Sequence, residues 1–334
     1  MVSLSLSNPP TSTSNGVRPV NLKTDLAALA DLIEVAFADS MDSSGRAAVR
    51  EMRALSRFGT GLGVIAGMND LVQGIGLGYV WIEDGQLVGN VSIYPAHRHS
   101  GEGQVWIIAN VAVQPEYRGR GIARKLMLAS LDAIRNRRGG RASAILQVEE
   151  NNVAARRLYD SLGFVNEGAW RQWRRSPSAR IPPPFDNGQV YITKRRRGEW
   201  QAEYELATRI RPYGLGWQRP LHKGLFRRSI KNILNDLINM RSVERLVVHS
   251  QDEIRAVMWI ERAFAASSTQ LMLMVDPEYH GLYDEALINL ATRRFSGHSP
   301  LTMEHPADDT VTSAILERYH FHVQRTLVHM RWEG

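Results

Sequence analysis

One phrase is written twice in this chain. Val113–Leu126 reads VQPEYRGRGIARKL and Val275–Leu287 reads VDPEYHGLYDEAL, the second valine standing 162 residues after the first. The phenylalanine that closes a helical pattern further on, Phe164 and then Phe321, recurs at an offset of 157. Two similar offsets with matching neighbours mark a tandem duplication. A two-copy repeat of this length folds as two related domains, not as a solenoid.

The pattern around each phrase is the same. In the first copy GYVWIEDGQLVGNVSIYPAHR reads as two strands joined at Asp84-Gly85, a strong hairpin signal. The strand VWIIANVAV leads into the phrase, a helix runs from about Gly121 to Arg137, and the strand SAILQV and helix NNVAARRLYDSLGF follow. Upstream, VRPV reads as a strand and DLAALADLIEVAF as an amphipathic helix. Two further strands are expected near Ala169–Arg174 and Val190–Lys194. From about Glu199 the order restarts with the hairpin RLVVHSQDEIRAVMWIER and the strand TQLMLMV. The helix HGLYDEALINLATRRF, the strand PLTMEH and the helix DDTVTSAILERYHF complete it. The expected organisation is a tail at 1–16, a first domain at 17–198 and a second at 199–334, in an α/β (α+β) fold class.

Composition narrows the chemistry. The chain has 334 residues, 43% hydrophobic and 22% charged, as in soluble globular proteins. It has no cysteine, so disulfides, Cys-ligated metals and acyl transfer through an enzyme thiol are excluded. That suits a reducing cytoplasm. The first residues lack the basic and apolar blocks of a signal peptide, and 59–82 is a poor membrane span, so no membrane partner is expected. A formal charge of +7, with basic runs at 135–141, 170–175 and 194–197, invites an anionic partner. A solvated face is the ordinary fate of such runs, a phosphate-bearing cofactor comes next, and nucleic acid last, since no nucleic-acid motif is complete. The glycine-rich stretch 59–67 has no clear preceding strand and reads as a mobile loop on the substrate side, not a dinucleotide loop.

The first copy of the phrase has the parts of an anion site. A strand runs into Arg118, Gly119, Arg120, Gly121, Ile122 and Ala123, which open a helix. A helix start leaves backbone N–H groups unpaired at the positive end of its dipole, and glycines let a pyrophosphate come close. A tight strand-to-helix connection is the competing reading of a glycine-rich turn taken alone.

The spacing R-x-x-G-x-A, filled by Arg118, Gly121 and Ala123, resembles the acetyl-CoA loop of the GNAT acyltransferase superfamily, Q/R-x-x-G-x-G/A. A second block agrees: LQV, then Asn152, Ala155, Leu158 and Tyr159, then Gly163-Phe164. The resemblance covers about 17–197 well and the remainder in outline, a tandem form with a degenerate second domain. It implies that each domain is a mixed, twisted sheet flanked by helices, with two parallel strands splayed apart. The pantetheine arm would lie in that gap like an added strand, contacting the backbone at Val111 and Val113. Asn152 would hold the pantetheine end and Tyr159 would sit beside the sulfur. The implied cosubstrate is acetyl-CoA, with no metal.

The implied reaction is direct attack of a primary amine on a thioester within a ternary complex. An amine of pKa about 10 must be deprotonated, the oxyanion needs N–H donors, and the thiolate gains from a proton. The strand around Val111–Val113 is assigned the donors and Tyr159 the acid, against the alternative that Tyr159 is a core residue. The third strand carries no carboxylate, so the base stays open among Glu149, Glu150 and the C-terminal carboxylate of Gly334. The acceptor is a small molecule, peptide or protein, and Trp170 and Trp173 are candidates to stack on it. A half-buried sheet face is the commoner place for such aromatics.

In the second copy Arg118 becomes His280 and Gly119 stays as Gly281, while Gly121 and Ala123 fall opposite Tyr283 and Glu285. Leu316 stands opposite Tyr159 and Asp309 opposite Asn152. A phenol and a carboxylate are thus expected to fill the second cradle, leaving a structural domain that shapes the acceptor side. Two other functions remain: a CoA sensor or scaffold without turnover, and a tandem aminoacyl transferase using charged tRNA.

Overall fold

The computed structural model describes residues 15–38, 41, 43–57, 77–96, 104–136, 142–185, 190–212, 214–215, 221–227, 240–263, 268–295 and 297–334. The tail through residue 14, the stretch 59–67 and residues 137–141 of the basic run lie outside them. The chain divides into two compact units, Met1–Ile145 with Trp332–Gly334, and Leu146–Arg331.

The first unit contains β1 (Gly16–Pro19), α1 (Leu26–Ala36), α2 (Ser43–Ser56), β2 (Tyr79–Glu83), β3 (Gln86–Pro95), β4 (Gln104–Val113), α3 (Ile122–Arg135) and the start of β5 (Ala142–Glu149). Its strands lie in the order β1-β2-β3-β4-β5. Asp84 (φ 48°) and Gly85 (φ 77°) both take the left-handed conformation that a two-residue hairpin turn demands. Leu26, Leu29, Leu32, Val49 and Met52 of α1 and α2 are buried with Val80 and Ala112 of the sheet. On β3, a Cβ added to Gly89 would meet Ile122 and Leu126 of α3 at 3.0 Å. Gly89 pairs with Val113 and Asn90 with Ala112, so neighbouring pairs look to opposite faces and the sheet is covered on both.

The second unit takes the end of β5, then α4 (Val153–Ser161), β6 (Val165–Arg175), β7 (Ile192–Lys194), α5 (Trp200–Ile210), α6 (Lys223–Phe226), β8 (Arg241–Ser250), β9 (Glu253–Ala263), β10 (Thr269–Val275), α7 (Tyr283–Phe295), β11 (Leu301–Pro306), α8 (Thr310–Arg318) and β12 (Phe321–Glu333). Its strands follow β12-β6-β11-β10-β9-β8-β7. One core joins Leu287, Leu316 and Phe321 to the strands, and another packs Leu206 and Ala207 of α5 on Val257, Trp259 and Met274. The repeated order is as expected: hairpin, strand, Pro-Glu-Tyr turn, helix, strand, helix. Each turn is a single 3₁₀ turn, Pro115–Tyr117 and Pro277–Tyr279.

The partition differs from the expected cut at 198/199. β6, which closes the first repeat in sequence, pairs antiparallel with β12 on one side and β11 on the other. Both partners come from the second repeat. The end of the first copy is therefore built into the sheet of the second, and the compact units part at Ile145/Leu146. The long C-terminal strand β12 and the helix α5 are further elements not expected from the pattern.

Candidate functional site

In the first unit β4 pairs parallel with β5 only from Gln104↔Ala142 to Ile107↔Ile145. β4 then runs on for Ile108–Val113 beyond that ladder. On its other edge the β3 register slips between Asn90 and Ser92, leaving an extra residue on β4, and Asn110 sits at φ 52°. Such a bulge re-aims backbone groups and marks sites more often than defects. Val111 is half-buried and Val113 is buried.

The chain then turns through Pro115–Tyr117 into the predicted loop. Gly119 (φ 78°) and Gly121 (φ 75°) are left-handed, and Gly121 is the N-cap of α3 with no side-chain cap. A Cβ at either glycine would meet nothing within 4 Å, so the space over the helix start is open. Arg118 donates its Nε to the Val113 carbonyl at 3.1 Å. Arg120 reaches the Glu116 carbonyl at 3.1 Å and lies 4.9 Å over the Tyr117 ring. Both charges are thus braced beside the opening. Ile122 is buried and anchors the helix, while Ala123 is half-buried.

The second copy reproduces the turn and closes the site. His280 repeats the Arg118 contact, its Nε2 lying 3.3 Å from the Val275 carbonyl, and Gly281 (φ 89°) repeats Gly119. Tyr283 cannot take the left-handed conformation of Gly121 cheaply, and α7 begins one position earlier, at Tyr283 itself. The buried Asp284 replaces Ile122. Its carboxylate accepts from the Glu285 N–H at 2.9 Å and the Thr312 hydroxyl at 3.1 Å. Burial, the largest influence, holds its pKa above the ordinary value although Gly281, Glu285 and Thr312 donate to it.

The obstruction therefore differs in detail from the expected one. Tyr283 points into the core, stacked on Tyr279 at 4.7 Å, and does not fill a cradle. Glu285 turns to Arg318 at 2.9 Å and the Tyr319 hydroxyl at 3.2 Å. The anion at the helix start is Asp284. The second copy also lacks the bulge, since β9 and β10 stay in register from Gln270↔Glu261 to Val275↔Ala256.

Glu149, Glu150, Asn152 and Tyr159 belong to the second unit, around the turn from β5 into α4. Asn152 Oδ1 caps α4 by accepting the Ala155 N–H at 3.1 Å, as Asp309 Oδ1 caps α8 through Thr312 at 3.0 Å. The cap leaves the amide nitrogen of Asn152 for a ligand. Tyr159 is 6% exposed against Phe164, and burial pushes its pKa up to about 12. It keeps its proton at neutral pH, as an acid must. Glu149 is half-buried and Glu150 exposed.

Two assignments fail. Gly334 donates its N–H to the Ala142 carbonyl, and Ala142 pairs with Gln104. The C-terminal carboxylate is thus at the opposite end of β4 from Val111–Val113, roughly 20–30 Å along the strand at 3.3 Å per residue. It is no base for that end. Trp173 is 1% exposed in the core and offers no stacking surface, whereas Trp170 is half-buried.

A polar row beside the bulge is a structural feature that sequence reasoning missed. Asn90, Ser92 and Tyr94 alternate along β3 on the face that carries Ala112 and looks to α1 and α2. Asn110 Nδ2 lies 3.2 Å from the Ser92 hydroxyl and 3.3 Å from that of Tyr94, and Asn90 donates to the Asn110 carbonyl at 3.0 Å. Asn90 Oδ1 is buried with no hydrogen-bond partner among the described residues. Burial raises the Tyr94 pKa. The signal was N-x-S-x-Y in a strand otherwise apolar. Among the described residues no group of three or more metal-ligating side chains converges, and no helix is long and apolar enough to cross a membrane.

Residues 66–164 match the profile of the acetyltransferase (GNAT) family. That stretch is similar to a GNAT domain. The N-alpha-acetyltransferase 30 of Schizosaccharomyces pombe is 40% identical over 86 residues, 26% of this chain and 55% of that protein. The match thus spans little more than half of the relative's length. A GCN5-related N-acetyltransferase from Sphaerobacter thermophilus superposes with a TM-score of 0.65 at 16% identity, over 95% of each chain. A tandem GNAT protein from the clavulanic acid biosynthesis pathway does so with 0.56 at 12%, over 96% of this chain and 98% of its own. The GNAT fold is therefore present over nearly the whole chain, in a tandem arrangement that has a solved counterpart.

Proposed function

We propose that this chain is an N-acetyltransferase that moves an acetyl group from acetyl-CoA directly to a primary amine, using the loop of the first repeat alone. The observation that carries the reading is the contrast at the helix starts. One is uncapped, left-handed at Gly121 and open; the other is occupied by Asp284. An uncapped helix start with two braced arginines suits a pyrophosphate.

The residues fit the donor as follows. Gly119–Ala123 with Arg118 and Arg120 would hold the pyrophosphate, and the backbone of Val111 and Val113 the pantetheine. Bound acetyl-CoA supplies an activated thioester carbonyl. Tyr159, a buried phenol that holds its proton at neutral pH, is the acid for the departing sulfur. Asn152 offers its amide nitrogen, and Glu149 or Glu150 accepts a proton from the amine. The Asn90–Tyr94 row and Asn110 orient groups on the acceptor side of the first unit. Similarity to the yeast N-alpha-acetyltransferase supports an amine acceptor, of small-molecule, peptide or protein class.

The test is acetyl-CoA binding by calorimetry together with thiol release across a panel of amines. Saturable binding and amine-dependent release are expected. Absence of binding would refute the reading. Binding without release from any amine would favour a sensor.

A further inference from the structure

Four side chains of the second unit meet without a part in the chemistry above. Gln147, His329, Trp170 and Glu304 come from β5, β12, β6 and β11, which lie side by side in that order. Gln147 Nε2 is 3.3 Å from Glu304 Oε1 and 2.7 Å from His329 Nε2. One amide NH₂ group thus donates to a carboxylate and to an imidazole nitrogen. That assigns His329 Nε2 as an acceptor and places the ring proton on Nδ1. The imidazole lies flat against Trp170, centroids 5.4 Å apart at 7°, which fixes its plane. Two acceptor atoms, Glu304 Oε1 and His329 Nε2, are therefore held 3.6 Å apart.

The carboxylate is unusual for its surroundings. Glu167, Glu244 and Glu261 on this unit's strands each hold cations, Arg331, Lys194 with Arg294, and Arg241, and half-buried Glu149 at the end of β5 is the other strand glutamate that shows none among the described residues. Among the described residues Glu304 has only Gln147 and the unprotonated nitrogen of His329. Arg325 on neighbouring β12 donates to Gln172 Oε1 at 2.6 Å. The Glu304 side chain is 20% exposed and that of His329 12%, so the pair is reachable yet largely stripped of water. A carboxylate in that position is costly without a cation, and a chain of net charge +7 has cations to spare. The missing charge is one that a ligand brings. One carboxylate and one imidazole are too few for a metal, whereas an ammonium, with three donors, matches two acceptors on one side.

We propose that Glu304, His329 and Gln147, backed by Trp170, form a binding subsite for the ammonium group of a primary amine. The subsite deepens the acyl-transfer reading and takes its meaning from it, because an ammonium is the resting form of an acceptor amine. It narrows the acceptor to amines that arrive charged and unhindered at nitrogen.

The experiment follows the His329 imidazole by NMR in the full chain, its signal assigned by its loss in His329→Gln, while n-butylammonium chloride is added. The signal should move and saturate. Glu304→Gln should weaken the apparent affinity at least fivefold, Gln147→Leu should weaken it in the same direction, and n-butanol should have no effect. An unmoved signal, an equal response in Glu304→Gln, or an equal response to n-butanol would overturn the subsite. Acetyl-CoA titrated into the same wild-type sample separates the two ideas. Failure to bind it would refute the acyl-transfer reading, while the ammonium titration still decides the subsite.

Discussion

The helix starts of α3 and α7 are the same turn put to opposite uses. Each follows a strand, a Pro-Glu-Tyr 3₁₀ turn and a left-handed glycine, and each is clasped by a side chain reaching back to the strand carbonyl. They part over two residues. Gly121 keeps a conformation that Tyr283 abandons, and Ile122 anchors a helix where Asp284 caps one. Unpaired N–H groups at a helix start need an acceptor, and the chain either leaves the position open to an outside anion or supplies one itself. What separates the two copies here is the internal satisfaction of donors, not the decay of a fold.

The contrast can be broken most sharply at Gly121. Gly121→Glu puts a carboxylate over the open helix start in a backbone conformation that costs a side chain about 1–2 kcal/mol. Acetyl-CoA affinity measured by calorimetry should fall at least ~100-fold with the added repulsion. Tyr283→Phe, the matched change in the second copy, should leave it within about twofold, since that ring is core. Next comes Tyr159→Phe, which should lower thiol release by about 100-fold with acetyl-CoA affinity unchanged. Retained turnover would make Tyr159 a packing residue only.

Changes at the second copy's helix start and at His305 should act on stability alone. Asp284→Ala leaves the α7 N–H groups and the Thr312 hydroxyl without their acceptor, and should cost about 1–3 kcal/mol in urea unfolding. The Asp284 pKa is raised on folding, so the folded chain holds that proton to higher pH than the unfolded one. Its contribution therefore declines as pH rises from the ordinary carboxyl range through the raised value, and Asp284→Asn should abolish that slope. The smallest effect concerns His305. Burial, foremost, lowers its pKa from 6.5 to about 4, and it donates to Asp309 at 2.7 Å while Arg211 Nη2 lies 3.4 Å from its Nδ1. Unfolding takes up a proton between those values, so stability falls as pH drops from about 6.5 towards 4. His305→Gln should make the unfolding midpoint less sensitive to acid over that window.

Much of this was legible because it is local. Asp84-Gly85 announced its hairpin, and PEYRGRGIA its turn and helix, through backbone conformations that few residues adopt. The bulge at Asn110 was within reach too, since asparagine tolerates φ above zero better than its apolar neighbours do. β12 escaped because register shifts at Val323/Arg325 and His329/Met330 break the alternation by which strands are recognised. The insertion of β6 between β11 and β12 escaped for another reason. Pairing across a whole repeat leaves no periodic trace in either strand, and neither does the gathering of Gln147, Glu304 and His329.

That insertion has a consequence for how the chain matures. β6 is made early, yet both of its neighbours, β11 and β12, emerge from the ribosome only near the end of the second repeat. Until then it carries two bare edges and two tryptophans, the kind of surface on which chains associate wrongly. The sheet of the second unit closes late, through contacts of high sequence separation that form slowly. The second repeat is thus also the clasp without which the first copy's last strand has nowhere to go.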